Sequence, residues 1–147
     1  MKQFIMRLLG LTPNRFHPMV LINGSPSIGN NVYMGAFSEI YAKGAKVIIG
    51  DNCDIASFVA INCADSHNRT IGLAKDVEKK DIVIGDNVFI GTMSAILGGT
   101  FIGHHSVIGA GVILKNIEIP PYSLVTGQVG GQLKEGYYLP KLTIQPN

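Results

Sequence analysis

The sequence predicts an all-β solenoid, in which short strands and turns wind around one buried core. Three observations lead to this class: an aliphatic residue recurs at every sixth position, glycine often follows it, and only 15% of the 147 residues are charged. A helical period of about 3.6 residues would not keep an aliphatic side chain at every sixth position. The glycines would also weaken any helix that contained them.

The repeat is clearest in the second half of the chain. From residue 84 the sequence reads IGDNVF, IGTMSA, ILGGTF, IGHHSV, IGAGVI and LKNIEI, so each hexad begins with Ile or Leu. A hexad of this kind suits a short strand followed by a turn, and three hexads form one triangular coil. The aliphatic residue points inward, and the adjacent glycine permits the corner. Stacked coils then bury ladders of Ile side chains as the core.

The same frame occurs earlier in the chain, with one slip. Its positions are spaced by six residues in two sets, Phe16, Ile22, Ile28, Met34 and Ile40, and then Ile49, Ile55 and Ile61. The step from Ile40 to Ile49 is nine residues, one hexad plus three. We therefore expect a single β-helical domain over residues 1–147, with a cap at 1–15, coils over about 16–66 and 84–119, and a tail at 120–147.

The interruption at residues 67–83 is the candidate functional segment. It carries a polar cluster where the repeat would continue, and His67 stands at the position of a core aliphatic residue. Long loops on rigid scaffolds commonly carry function. A histidine can take a proton from a hydroxyl or an amine near neutral pH. Taken alone, however, a loop histidine is more often a solvated or locally hydrogen-bonded side chain.

Composition and short motifs exclude several classes of protein. The net charge is +2 and there is no run of Lys or Arg, which argues against nucleic acid as a partner. Cys53 and Cys63 fit no metal or redox spacing, so free thiols in the reducing cytoplasm are expected.

The opening MKQFIMRLLGLTP is too short to span a membrane. It predicts a short helix that caps the core or makes at most a peripheral membrane contact, with one apolar side formed by Phe4, Ile5, Leu8 and Leu9.

Hexads of this form resemble those of the hexapeptide-repeat transferases, which fold as left-handed parallel β-helices. The resemblance covers about residues 16–119. The stretch VIIGDNCDIASFVAINCADSH, followed by DIVIGDNVFIG, is similar to the maltose, galactoside and xenobiotic acetyltransferases. In those enzymes a catalytic histidine opens a loop that interrupts the coils. The resemblance implies acetyl-CoA as co-substrate, no metal, and a homotrimer with active sites between subunits.

The resemblance also implies roles for individual residues. His67 would be the general base, and Asp65, on the same side of an extended chain, would orient the imidazole. An aspartate that caps its own backbone is the alternative for Asp65. Contacts to the acceptor are expected at Glu39, Asn62, Asn68 and Phe89. Contacts to the donor are expected at Thr92, Ser94, Gly109, Ala110, Lys115 and Lys134.

The expected function is acetyl transfer from acetyl-CoA to a hydroxyl of a sugar or glycan, as in surface-polysaccharide assembly. N-acetylation of a nucleotide-linked amino sugar is the first alternative, because only the acceptor pocket would differ. A non-catalytic β-helical scaffold is the second, and it would not bind CoA. Zinc chemistry of the γ-carbonic anhydrase type is not favoured, because His104 and His105 lack the H-x-x-x-x-H spacing of those enzymes.

Overall fold

Short parallel strands wind into five stacked coils, and each coil gives one strand to each of three sheets. The coordinates are a computed structural model that describes residues 1–10, 14–127, 132–136 and 139. All strand pairs between coils are parallel among the described residues. The parallel β-helix predicted from the hexads, left-handed as the resemblance implies, is confirmed.

The three sheets form the faces of a triangular prism. Sheet A contains β1 (Leu21–Gly24), β4 (Glu39–Ala42), β7 (Ala60–Asn62), β12 (Ala95–Leu97) and β15 (Ile113–Leu114). Sheet B contains β2 (Ser27–Ile28), β5 (Val47–Ile49), β10 (Ile82–Ile84), β13 (Thr100–Ile102) and β16 (Glu118–Ile119). Sheet C contains β3 (Tyr33–Met34), β6 (Asp54–Ile55), β11 (Phe89–Ile90), β14 (Val107–Ile108), β17 (Leu124–Thr126) and the antiparallel β18 (Gln132–Lys134).

The predicted hexad positions, together with Ile119 and Val125, form three ladders of side chains inside the prism. The ladder of sheet A consists of Ile22, Ile40, Ile61, Ile96 and Leu114. The ladder of sheet B consists of Ile28, Ile49, Ile84, Ile102 and Ile119. The ladder of sheet C consists of Met34, Ile55, Ile90, Ile108 and Val125. Full burial of one such side chain contributes about 1.5–3 kcal/mol, so these ladders are the main source of stability.

The coils continue beyond the predicted end at residue 119. Ile119 follows Leu114 by five residues rather than six, and Val125 restores the spacing. Both Ile119 and Val125 are buried, and β17 pairs with β14 in the register of the other coils. The shortened step explains why the hexad pattern alone ended one strand too early.

The three-residue slip and the inserted loop occupy the same corner in neighbouring coils. The longer connection between β4 and β5 packs against the base of the loop, where the Lys46 N–H donates to Asp81 Oδ1 at 2.8 Å. Gly44 has a φ of +87°, and a side chain there would collide with that of Lys79. The slip therefore widens one coil at the point where the next coil must release the loop.

The recurring IGDN stretches are explained by the corner between sheets B and C. Asn52 and Asn87 adopt φ values of 55° and 56°, a left-handed conformation that asparagine tolerates well. Asp51 Oδ1 accepts the N–H of Asn30 at 2.6 Å, and Asp86 Oδ1 accepts the N–H of Asp51 at 2.7 Å. The two aspartates thus satisfy main-chain donors of the preceding coil.

The N-terminal end of the chain lies outside the regular coils. The predicted N-terminal helix is present as α1 (Lys2–Leu8), but among its described side chains only Met6 is buried, so it covers little of the core. Among the described residues, no helix combines the length and apolarity needed to cross a membrane.

Cys53 and Cys63 are buried free thiols, as expected, and burial raises the pKa of both. The tail residues Tyr137 and Tyr138 lie outside the described part of the chain.

Replacing Thr100 by valine is expected to stabilise the protein. Thr100 is fully buried in β13, where the partner strand carries Ile82, and its hydroxyl has no hydrogen-bond partner among the described residues. Removing an unpaired buried hydroxyl while keeping the shape should raise the free energy of unfolding by about 1 kcal/mol. Urea unfolding measures the change. As a control, Thr92→Val removes a hydroxyl that donates to the Ser57 carbonyl at 2.7 Å and should not stabilise.

Candidate active site

The loop leaves the helix through a short two-stranded stalk. After β7 the chain forms β8 (Ala64–Asp65), which pairs antiparallel with β9 (Glu78–Lys79), and the coil resumes at Ile82. The chain therefore leaves the coil before residue 67, which was the predicted start of the loop. The stalk is fixed at its base because Asn62 Oδ1 accepts the N–H of Ala64 at 2.9 Å. The tip begins with the one-turn helix α2 (His67–Thr70).

His67 and Asp65 are in direct contact at the start of this tip. Asp65 Oδ1 lies 2.5 Å from His67 Nδ1 and also accepts the His67 main-chain N–H at 3.0 Å. The two alternatives considered for Asp65, capping the backbone and orienting the ring, therefore occur together. A carboxylate on Nδ1 holds the proton there and leaves Nε2 as an acceptor. The His67 side chain is 56% exposed, so a ligand can reach it.

A third residue, Lys115, completes the charged group around Asp65. Its Nζ pairs with Asp65 Oδ2, although the two residues are 50 positions apart in the chain. The Lys115 ammonium, followed by the hydrogen bonds from His67, holds the pKa of Asp65 well below its usual range. Asp65 in turn raises the pKa of Lys115. The structure thus engages Lys115 with the predicted catalytic pair, a role that sequence reasoning missed because no local motif links the residues.

A cavity of about 210 Å³ opens beside this charged group. Its lining consists of Cys63, Ala64, Asp65, Glu78, Lys80, Leu97, Gly98 and Lys115. Lys80 Nζ bonds both Glu78 Oε1 and Asn116 Oδ1, each at 2.9 Å, which ties the stalk to the corner of the last coil. The cavity is smaller than a typical site for a whole ligand, so it suits one part of an extended ligand.

A second recess, of about 350 Å³, adjoins the same stalk. It is lined by Tyr41, Asn62, Ala64, Ser66, Arg69 and Val77. Asn62 is thereby brought to a ligand-sized space, together with Tyr41 and Arg69, which the sequence did not single out. Glu39 lies two residues before Tyr41 on β4, on the same outer face of sheet A, and accepts from Asn23 Nδ2 at 3.1 Å.

Two predicted acceptor residues are less directly involved. The Asn68 carbonyl accepts the N–H groups of Leu73 and Ala74 at 2.7 and 3.1 Å, which closes the turn at the tip of the loop. Phe89 lies in β11 on sheet C, a different face of the prism from Glu39 and Asn62. A single chain does not bring Phe89 to the recess.

The predicted donor residues divide between two corners and one edge. Thr92 and Ala110 are exposed at the corner between sheets C and A, with Gly109 half-buried beside them. Ser94 is buried, and its hydroxyl donates to the Gly109 carbonyl and accepts the N–H of Val112. Its side chain therefore shapes the corner and is not available to a ligand. The other two residues are elsewhere, Lys115 beside Asp65 and Lys134 in β18.

Comparison with known families identifies the repeat. Residues 81–116 match the family described as "Bacterial transferase hexapeptide (six repeats)", and residues 27–63 match "Hexapeptide repeat of succinyl-transferase". The chain belongs to the hexapeptide-repeat transferases. The two matched segments lie on either side of the inserted loop, so the His67–Asp65 pair lies between them.

Curated relatives include two named transferases. A 2,3,4,5-tetrahydropyridine-2,6-dicarboxylate N-succinyltransferase of Xylella fastidiosa is 29% identical over 130 residues, which cover 78% of this chain and 43% of the relative. The galactoside O-acetyltransferase of Escherichia coli is 36% identical over 108 residues, covering 69% of this chain and 52% of the relative. The chain thus spans about half the length of these curated relatives.

Solved structures share the same architecture. The polySia-specific acetyltransferase NeuO superposes with a TM-score of 0.60 and 26% identity, over 78% of this chain and 59% of its own. A galactoside acetyltransferase in complex with coenzyme A has a TM-score of 0.52 and 26% identity, over 78% of this chain and 62% of its own. An N-acyltransferase from Bacillus cereus, AntD, is 21% identical with a TM-score of 0.64, over 84% of this chain and 85% of its own, and shares the fold.

Replacing Lys115 by methionine is expected to raise the pKa of Asp65. The Lys115 ammonium is the largest cause of the low pKa of this carboxyl group, and methionine removes the charge while keeping the chain length. The Asp65 pKa should move up toward the ordinary aspartate value of about 3.9, as followed by an NMR titration of its side-chain carboxyl carbon. Lys75→Met, in the same loop, is the control. An unchanged Asp65 pKa in the Lys115 variant would contradict the pairing.

Proposed function

We propose that the chain is an acetyl-CoA-dependent acetyltransferase that transfers acetyl to a hydroxyl of a sugar or glycan, with His67 as the general base. The observation that carries the proposal is the His67–Asp65–Lys115 group, which lies where the stalk of the inserted loop meets its tip on a hexapeptide-repeat scaffold. A histidine with one ring nitrogen held by a carboxylate is a common arrangement for taking a proton from a hydroxyl. The family membership supports a transferase of acyl groups.

In the proposed reaction His67 Nε2 takes the proton of the acceptor hydroxyl. The hydroxyl oxygen then attacks the thioester carbonyl of acetyl-CoA, and a new C–O bond forms. The tetrahedral oxyanion collapses, the C–S bond breaks, and the imidazolium returns its proton to the thiolate of CoA. Asp65 keeps the ring oriented and stabilises the imidazolium meanwhile. A cysteine acyl-enzyme is not favoured, because Cys53 and Cys63 are each only 2% exposed.

Acetyl-CoA supplies the activated acetyl group when it is bound. Residues at one corner of the prism suit contacts to the CoA part of this donor. Thr92 and Ala110 are exposed at the corner between sheets C and A, and Gly109 is half-buried beside them. The galactoside acetyltransferase structure containing coenzyme A supports this donor. Lys115 is better placed to hold Asp65 than to meet the CoA phosphates. We further propose a homotrimer in which a neighbouring subunit completes the donor site.

The recess at Tyr41 and Asn62 is our proposed acceptor site. The Tyr41 ring offers a flat apolar surface for a sugar, and Asn62 offers an amide group for its hydroxyls. The Glu39 carboxylate lies outside the lining, on the same outer face of sheet A. The relatives named for galactoside and polySia support a sugar acceptor. Polysaccharide assembly in the cytoplasm is the setting we propose, since the two buried free thiols are compatible with a reducing compartment.

An amine acceptor is the second candidate. The Xylella relative is named as an N-succinyltransferase, so related chains acylate nitrogen as well as oxygen. The same histidine would then remove a proton from the amine as it attacks, with the scaffold and donor site unchanged. The two candidates differ in the product, an ester in one case and an amide in the other.

Replacing His67 by alanine should remove the base and leave donor binding intact. We expect kcat to fall by about a hundredfold to ten-thousandfold. Acetyl-CoA should still raise the melting temperature, because a ligand that binds only the folded state stabilises it by mass action. The matched control is His104→Ala, at the corner between sheets B and C, which should keep full turnover. Full turnover in the His67 variant would instead show that another group is the base.

The acetylated product should be an ester. Radiolabelled acetyl-CoA and a panel of sugars and amino sugars give products whose lability to mild base separates ester from amide. Base-labile product that forms with sugars lacking an amino group supports the first proposal. Base-stable product that requires an amino sugar would replace it with the amine acceptor.

A further inference from the structure

Helix α1 turns its apolar side chains toward solvent instead of the core. Phe4 is 69% exposed, Leu8 is 75% exposed, and Ile5 and Leu9 are also exposed, whereas Met6 is buried, the only such side chain among those described in the helix. Soluble proteins seldom leave apolar side chains together in this way, and such patches commonly mark interaction sites. The helix therefore has an unpartnered face.

The exposed side chains form one continuous stripe. At about 100° per residue, positions 1, 4, 5 and 8 fall on the same side of a helix. Leu9 extends the stripe at the C-terminal end, where Gly10 follows with a φ of +70°. The exposed pair Phe37 and Phe58 differs, since the two rings stack on each other at 5.1 Å between ring centroids. The stripe on α1 is thus a coherent surface.

The charge of this end of the chain indicates what the surface binds. The first acidic residue in the sequence is Glu39, whereas Lys2, Arg7 and Arg15 precede it. Arg7 lies in the last turn of α1, within the segment that carries the stripe. Arg15 is used internally, since its guanidinium donates to the carbonyl of Gly29. A positively charged helix with an apolar face is complementary to a surface with negative charge above an apolar layer.

We propose that α1 docks the protein on an anionic lipid surface. Phe4, Ile5 and Leu8 enter the boundary between headgroups and acyl chains, and Arg7 lies at the level of the lipid phosphates. The helix lies in the plane of the interface, because its 7 residues are too few to cross a bilayer. Attachment is reversible, since it depends on one short stripe and a small number of charges.

Sedimentation of the full chain with lipid vesicles tests the proposal. One vesicle preparation is phosphatidylcholine alone, and the other contains phosphatidylglycerol as about a third of its lipid. We expect the protein to bind the anionic vesicles at least about tenfold more tightly, because cations near a negative surface each add to binding. Raising the salt to about 1 M should release it, because the Debye length falls to about 3 Å.

Three variants separate the contributions of the stripe and its charge. The double variant Phe4→Ser and Leu8→Ser should lose at least about tenfold in affinity for anionic vesicles, through loss of apolar insertion. Arg7→Gln should weaken binding to anionic vesicles without changing binding to neutral ones. The control Leu73→Ser changes another highly exposed leucine, in the inserted loop, and should leave vesicle binding unchanged.

Several results would overturn the proposal. One is failure to bind anionic vesicles, and another is equal binding to both preparations. A third is a loss of oligomer mass by light scattering in the Phe4 and Leu8 variant while vesicle binding stays normal. That result would assign the stripe to contacts between copies of the chain. All substituted side chains are exposed, so we expect the melting temperatures of the variants to match that of the native protein. A match confirms that each variant is folded.

Discussion

The structure depends on the main-chain hydrogen bonds that join each short strand to its counterpart one coil away. Parallel pairing fixes residue against residue, so that Ile61 must lie over Ile40 and under Ile96. A shift of one residue in any coil would turn the aliphatic side chains outward. This register is maintained by the hexad spacing, by the aspartates that accept main-chain N–H groups at the corner, and by the asparagines with positive φ. Together these features return the chain to the same position after each coil.

The same constraint decides where a functional loop can be inserted. A loop inserted within a strand would break the hydrogen bonds of that strand to its neighbours in the coils on both sides, whereas a loop inserted at a corner leaves these hydrogen bonds intact. The pairs β4–β7–β12 and β5–β10–β13 continue on both sides of the insertion. The widened connection of the preceding coil receives the base of the loop through Asp81. Asp65 is consequently held in the paired strands of the stalk, and His67 follows directly at the start of the tip.

Most of the fold could be predicted from the sequence because the repeat is local, and the ladder positions were found one hexad at a time. The contact of His67 with Asp65 could be predicted for the same reason, since the two residues are close together in the sequence. The contact of Lys115 with Asp65 could not be predicted, because it forms only after two further coils have stacked. Ser94 illustrates a different miss. It was predicted to contact the donor, but it is buried, and its hydroxyl bonds the main chain of the corner at Gly109 and Val112.

The ion pair between Lys115 and Asp65 joins the fifth coil to a loop that leaves the third. In solenoids each coil is supported only by its neighbours, and terminal units fray before central ones. Fraying of the last coil would therefore free Asp65 while the coil that carries His67 stayed folded. The low pKa of the Asp65 carboxyl is in this way linked to the stacking of the fifth coil on the fourth.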